Sequence, residues 1–251
     1  QAVQMRVKSS ISSIYDPLLS PVVTFNVTTY KPAEAEYNKV WIVGDYCGWD
    51  HSKAQYLYDI AGDGKYYEGW VSFVNSANSQ NGAAQNGFKI TYTSGWNGDD
   101  IGTNDSQVVN NKITVAPGGD IKLFTGRIMY LKLDNRVQSA RTLERVNTLT
   151  RIGVVGSATP SGWGSPDVEM SFNSATKKWQ ALNVSLTAGE IKFRANDAWD
   201  LSWGTYPSSA NKNPDQLTSS NGNNISVTAG RYNIYFSLNK VDPTYEIVQV
   251  N

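Results

Sequence analysis

The sequence predicts an all-β protein built as tandem immunoglobulin-like β-sandwich modules, and three observations lead there. First, a domain-sized phrase occurs twice. Second, the apolar runs are short, alternate with polar residues and are punctuated by Asn, Gly, Asp and Pro clusters, while long helical patterns are scarce. Third, 251 residues suit two domains of ordinary size, each with its own core.

The first copy opens with Val40-Trp41-Ile42-Val43-Gly44-Asp45 and reaches Gly48-Trp49; the second opens with Ile152-Gly153-Val154-Val155-Gly156-Ser157 and reaches Gly162-Trp163. Each then runs through a strand tryptophan, Trp70 or Trp179. An apolar–basic–apolar strand follows, Phe88-Lys89-Ile90 or Ile191-Lys192-Phe193, then another tryptophan, Trp96 or Trp199. The phrases Ile113–Gly118 and Ile225–Gly230 complete the parallel. In the first copy the alternation predicts strands at 38–44, 56–60, 65–73, 87–93, 110–115, 119–125 and 127–133. In the second it predicts 151–156, 167–173, 177–184, 190–195, 223–228, 230–238 and 243–250. About seven strands per ~100 residues is the arithmetic of a sandwich.

The expected organisation is therefore an N-terminal arm or remnant of a preceding domain at 1–37, a first module at 38–135, a linker at 136–150 and a second module at 151–251. Within the arm, Phe25-Asn26-Val27-Thr28 alternates like a strand and 30–34 reads as a connector. The joint between copies reads either as a brief spacer or as a strand shared with the next domain. Polar insertions distinguish the copies, at 75–87 in the first and 205–222 in the second.

Lys plus Arg balance Asp plus Glu at 22 each, and no basic cluster stands out, which argues against nucleic acid as a partner. Charged residues make up only 18% of the chain, so the surface is neutral and hydrogen-bonding. Cys47 is the single cysteine and cannot form an internal disulfide. The single histidine, His51, rules out a three-histidine zinc site, and it comes with no nucleophile motif. No acidic pair recurs at matching aromatic loops beyond the Asp99 and Asp200 neighbourhoods, and Asp99, Asp100 and Asp105 lack calcium-loop spacing. The expectation is a protein that is not an enzyme and needs neither metal nor cofactor.

Eight tryptophans carry the functional signal. Trp41, Trp70 and Trp179 sit on strands and read as packing. Trp49, Trp96, Trp163 and Trp199 sit in polar, glycine-rich loops, with Trp203 just beyond Trp199. An indole in a wet loop either packs or waits for a ligand. A pyranose suits such a surface, because its C–H faces meet aromatic rings and its hydroxyls meet polar groups at the edge. Strand alternation sends Lys192 and Arg194 to one face and Ile191 and Phe193 to the other; Lys89 and Thr91 likewise oppose Phe88 and Ile90. Those basic residues either donate to sugar hydroxyls or simply face solvent.

The phrase Val154–Trp163, followed by Lys192-Phe193-Arg194-Ala195-Asn196-Asp197-Ala198-Trp199 and the run Asn223–Leu238, resembles the starch-binding modules of the SusE/SusF family. These are surface lipoproteins of Bacteroidetes-type glycan-uptake systems. The resemblance covers nearly all of 151–250 and, more loosely, 38–133. It implies non-catalytic binding of a polysaccharide or oligosaccharide, above all an α-glucan such as starch. It also implies an outer-membrane cell-surface location through an N-terminal lipid anchor, and a place beside a TonB-dependent transporter and its associated surface lipoproteins. Carried onto this chain, the family's pattern of two aromatics with a basic donor selects Trp163, Lys192, Arg194, Trp199 and Trp203 in the second copy. In the first it selects Trp49, Lys89, Tyr92 and Trp96. The first copy departs from it: Thr91 stands where the second has Arg194, and Ile101-Gly102 where it has Trp203. The second copy is therefore the better expected site. The alternative from another class is a structural or protein-interaction module of the same surface complex.

Overall fold

The computed structural model describes residues 2–10, 16–26, 35–74 and 86–250. The chain forms two compact units, Gln1–Ala35 and Glu36–Asn251. In the first unit, Ala2–Met5 pairs antiparallel with Val23–Asn26 and Lys8–Ser9 pairs with Leu18–Leu19. The connector expected at 30–34, the end of the alternating run at Val27-Thr28 and residues 75–85 of the insertion expected at 75–87 lie outside the described residues.

The second unit holds both repeats, and all its sheets are antiparallel. In the first repeat one seven-stranded sheet runs in the order Phe88–Thr91, Lys39–Gly44, Gln55–Tyr58, Tyr66–Ser72, Ile128–Asp134, Thr142–Leu149, Lys112–Thr114. It curls, because residues from both edges (Phe88 and Ile90, Ile113) share one core with Val40, Ile42, Leu57, Leu131 and Leu133. Bridges from Phe88 to Ile121, Ile90 to Ile101 and Gly102 to Ala116 tie the intervening loop across the opening. Gly102 makes that approach possible, since a Cβ there would overlap the Gly119 carbonyl.

The second repeat is a two-sheet sandwich. One sheet orders Val168–Glu169, Ile152–Val155, Gly189–Ala195, Ser202–Thr205 and Leu217–Thr218, with Ile225–Val227 also pairing Gly189–Ala195. The other orders Ser171–Asn173, Lys178–Leu186, Gly230–Ser237 and Thr244–Val250. Phe193 stacks on Phe236 across the sandwich (ring centroids 4.8 Å) and Trp203 packs on the same phenyl ring.

Two expectations meet a different chain path. Residues 142–149, placed within the joint read either as a brief spacer or as a strand shared with the next domain, form a strand between Ile128–Asp134 and Lys112–Thr114. Its alternation is obscured because a register shift at Tyr130/Leu131 leaves only Leu143 and Leu149 of the strand buried. Residues 119–125, expected as a strand, contribute two isolated bridges, Gly119 to Thr103 and Ile121 to Phe88.

The repeats are packed on each other. Val74, Ile128 and Leu149 of the first belong to the apolar core of the second, with Trp70 against it. Trp179 Nε1 donates to Ser72 Oγ (3.1 Å). Asn239, in the hairpin after Gly230–Ser237, donates through Nδ2 to the carbonyls of Tyr56 (2.8 Å) and Trp70 (2.5 Å), while its Oδ1 accepts from the Tyr56 amide (3.0 Å).

Candidate functional site

In each repeat the opening strand pairs with the apolar–basic–apolar strand, Trp41 facing Thr91 and Gly153 facing Arg194. The polypeptide then folds back before the third strand, which enters at Gln55 opposite Ile42 and at Val168 opposite Val154. The loop between, 45–54 or 156–167, therefore lies over the sheet face that carries Thr91 or Arg194. The loop after that second strand brings a second tryptophan to the same place.

The result is a pair of indoles per repeat with the same geometry. Trp49 and Trp96 have ring centroids 6.1 Å apart and planes tilted by 41°. Trp163 and Trp199 have ring centroids 6.1 Å apart and a 41° tilt. Trp96, Trp163 and Trp199 are 48%, 36% and 51% exposed, whereas most aromatics of the two cores are buried.

Local turn chemistry sets each ring. Gly48 and Gly162 both occupy the left-handed region, at φ 64° and 59°. Trp49 itself also sits there, at φ 59°, a conformation that costs a side-chain-bearing residue about 1–2 kcal/mol. Its amide is held by the Gly44 carbonyl at 2.9 Å. The Asp50 carboxylate then caps the short turn His51–Lys53 through the Ser52 amide (2.9 Å). In the second repeat the Trp199 loop is pinned at its base. Asn196 Oδ1 accepts from the Thr150 amide (2.9 Å), and Asp197 pairs with Arg151 (2.9 Å).

What lies beneath the rings differs. The Arg194 guanidinium carbon sits 4.6 Å from the Trp199 ring centroid. Arg194 is only 2% exposed. It donates from Nε to both Asp167 oxygens (3.0 and 2.9 Å) and from Nη2 to the Gly164 carbonyl (2.5 Å) and Ser165 Oγ (3.1 Å). In the first repeat an imidazole fills that role. His51 packs edge-to-face on Trp96, centroids 4.8 Å apart, and its Nε2 lies 3.2 Å from Thr91 Oγ1.

Several expected residues therefore change part. Arg194 is a buried prop of Trp199 rather than an open donor, because Asp167 and the folded-back loop claim its protons. Trp203 is 2% exposed in the core and cannot reach a ligand there. Tyr92 alternates to the other face, where its hydroxyl donates to Asn135 (2.7 Å) and its ring packs by Arg141. Lys89 shares the platform's face but is held by Asp100 (2.5 Å) and the Gly118 carbonyl (2.9 Å). That hydrogen bond keeps the Asp100 carboxyl below its ordinary range. Lys192 is half-buried on the same face as Arg194. His51 and Asp167 were not among the candidates, although a lone histidine two residues after Trp49, in the copy lacking the arginine, was a legible signal. Cys47 is buried and unpaired, its thiol donating to the Gly44 carbonyl. Among the described residues, no group of three or more His, Cys, Asp or Glu side chains is placed to hold a metal ion.

Fold and site together define an all-β protein of two packed repeats, each presenting a tilted pair of indoles. No protein-family model matches the chain, and no curated protein does. Among solved structures it is similar to the crystal structure of SusF from Bacteroides thetaiotaomicron, at 17% identity and a TM-score of 0.30. That match covers 100% of this chain and 58% of the other.

Proposed function

We propose that this chain is a non-catalytic glycan-binding protein whose two indole pairs each grip a polysaccharide, with an α-glucan such as starch as the ligand. The observation that carries this reading is the recurrence of one exposed ring geometry, 6.1 Å and 41°, on two differently built seats. Solvent-facing indoles gain nothing for the fold from such a match, whereas a ligand with repeating apolar faces does. The tilt supports a curved chain: α-linked glucans turn as they extend, while a flat β-linked ribbon favours coplanar rings. Lys192 stands on the same strand face as Arg194, where it would meet hydroxyls at the ring edges, while Lys89 is already held by Asp100 and the Gly118 carbonyl.

Each module is read as immunoglobulin-like, and residues 1–37 as an N-terminal arm or the remnant of a preceding domain. The motif resemblance supports a lipid-anchored outer-membrane location beside a TonB-dependent transporter and its partner lipoproteins. Single shallow sugar sites are weak because hydroxyl contacts exchange for water contacts of similar worth. Two sites on one body raise effective concentration along a polymer. Affinity electrophoresis in gels containing amylopectin, dextran, xylan or mannan tests the reading. Retardation in amylopectin that is lost in Trp163→Ala, with the fold intact, is the expected result. Unretarded migration in every gel would instead favour a protein-interaction module.

A further inference from the structure

The outer face of the first repeat's sheet is covered only in part. Period two sends Met129 and Leu131 into the first core and turns Ile128 and Tyr130 to the other side, where Ser72 and Trp70 are their cross-strand partners. The second repeat seals the first of these pairs, Ile128 at 0% and Ser72 at 2% exposure. One step along, Trp70 and Tyr130 are only half-buried, and Glu68 follows them. The cover stops there, and a cleft of about 210 Å³ opens between the repeats.

One wall is aromatic. Trp70 and Tyr130 meet edge to face, with ring centroids 5.2 Å apart and planes at 71°. The other wall comes from the second repeat, from residues 240–243 with Tyr206, Thr218 and Ser219. It is fixed before any ligand arrives. Asn239 is tied to the Trp70 carbonyl, and Asp242 accepts from the Tyr206 hydroxyl (2.7 Å), Lys212 (2.6 Å) and Gln216 Nε2 (3.2 Å). Rigid walls lose little freedom on binding.

Two polar groups of the cleft are not fully engaged. The Tyr130 hydroxyl has no hydrogen-bond partner among the described residues, whereas those of Tyr92, Tyr206 and Tyr232 each have one. Burial and the neighbouring Glu68 carboxylate push its pKa up to about 12, so the phenol keeps its proton and can donate. Glu68 pairs with Lys132 through one oxygen (3.4 Å), which leaves the other to accept. The charged lining residues are Glu68, Asp242 and Lys240, with no cationic excess to select an anion. The volume lies below the ~300–1,000 Å³ of drug-sized pockets, so the occupant is small.

We propose that this cleft is a third carbohydrate site, which takes one neutral pyranose, the end or a branch of a glycan, between the two repeats. A C–H face of the sugar lies on the Trp70 and Tyr130 rings. The Tyr130 hydroxyl donates to a sugar oxygen, and the second Glu68 oxygen accepts from a sugar hydroxyl. Each indole pair belongs to one repeat, but this site exists only while the repeats are docked. The choice of a sugar as occupant rests on the function proposed above.

The test uses the Trp49→Ala/Trp163→Ala double variant, in which neither indole pair is intact. D-Glucose and maltose are titrated while the indole N–H signals are followed by NMR, with Trp70 assigned from Trp70→Phe. A saturable shift of the Trp70 signal is expected. Adding Tyr130→Phe, which removes one hydroxyl, should weaken it about two- to tenfold, the worth of one neutral hydrogen bond. A Trp70 signal that neither sugar moves, or a titration that Tyr130→Phe leaves unchanged, overturns the proposal. Gel retardation of the parent protein separates this site from the indole pairs. Retardation with an unmoved Trp70 signal sinks the cleft alone. A Trp70 response without retardation in any gel supports the cleft and overturns the indole pairs as polysaccharide sites.

Discussion

The register positions held by Gly153, Arg194 and Asp167 in the second repeat are held by Trp41, Thr91 and Ala54 in the first. In the second, glycine opens room for a large ion pair, since a Cβ on Gly153 would come within 2.5 Å of the Asp167 Cβ. In the first, the bulk is on Trp41, and the strand opposite carries a threonine small enough to admit His51 from the loop. Volume and polarity are redistributed, yet the indole pair above has the same spacing and tilt. What the seats share is not residue identity. In the second repeat a guanidinium from the sheet is held by the loop, in the first an imidazole from the loop is held by the sheet, and each packs against the second tryptophan. One seat is a buried ion pair and the other a half-buried imidazole.

The sharpest way to break this comparison is to remove the anchor of the second seat. Asp167→Ala leaves the Arg194 charge buried without its partner, a change that typically costs about 3–5 kcal/mol. Denaturant unfolding should show that loss, whereas Thr91→Ala, which removes the hydroxyl's two hydrogen bonds to the Thr93 carbonyl and to His51, should cost about 2 kcal/mol. Equal costs would mean that the seats are energetically alike.

Next in size is the joint that makes the repeats one body. Asn239→Ala removes three hydrogen bonds to the first repeat and strands the Tyr56 and Trp70 backbone groups, for about 2–3 kcal/mol. Calorimetry should then resolve two transitions where the parent shows one. A single transition in the variant would show that the shared apolar packing suffices.

The platforms themselves come third. If a sugar covers about 80 Å² of an indole face, Trp163→Ala loses about 2 kcal/mol of glycan affinity at ~25 cal/mol/Å². Trp49→Ala should lose less, because Trp96 rests on an edge-to-face ring contact rather than on a buried guanidinium. Titration of both variants with the same oligosaccharide ranks the sites, and a larger loss for Trp49→Ala would reverse the order argued here.

The smallest effect concerns acid. The Lys89 hydrogen bond lowers the Asp100 pKa in the folded protein. Its contribution is therefore present above the unfolded aspartate pKa of about 3.9 and is lost as pH falls through the lower folded value. Stability measured from pH 2 to 5 should show a slightly shallower acid decline in Asp100→Asn than in the parent. Both side chains are partly exposed, so the difference will be modest.

Much of this was legible in the chain itself. Alternation identified the strands that bury one face, such as Ile191–Phe193 and Ile128–Leu133, because a period of two needs no knowledge of the partner strand. Repetition identified the loops that carry Trp49, Trp96, Trp163 and Trp199, since turn chemistry in Gly48-Trp49 and Gly162-Trp163 is local. For residues 142–149 the choice between spacer and strand stayed open because few of their side chains are buried, and 202–205 escaped notice because the strand sits within a loop-like composition. The fates of Trp203, Tyr92 and Arg194 were decided only in three dimensions. Burial and pairing depend on which distant segment folds over a side chain: the 156–167 loop covers Arg194, Phe236 receives Trp203 and Asn135 takes the Tyr92 hydroxyl. Residue type and spacing set which groups face which side of a strand. What stands above that face is set by a chain path that returns from far along the sequence, and this is what turned an expected sugar donor into the buried support of a ring.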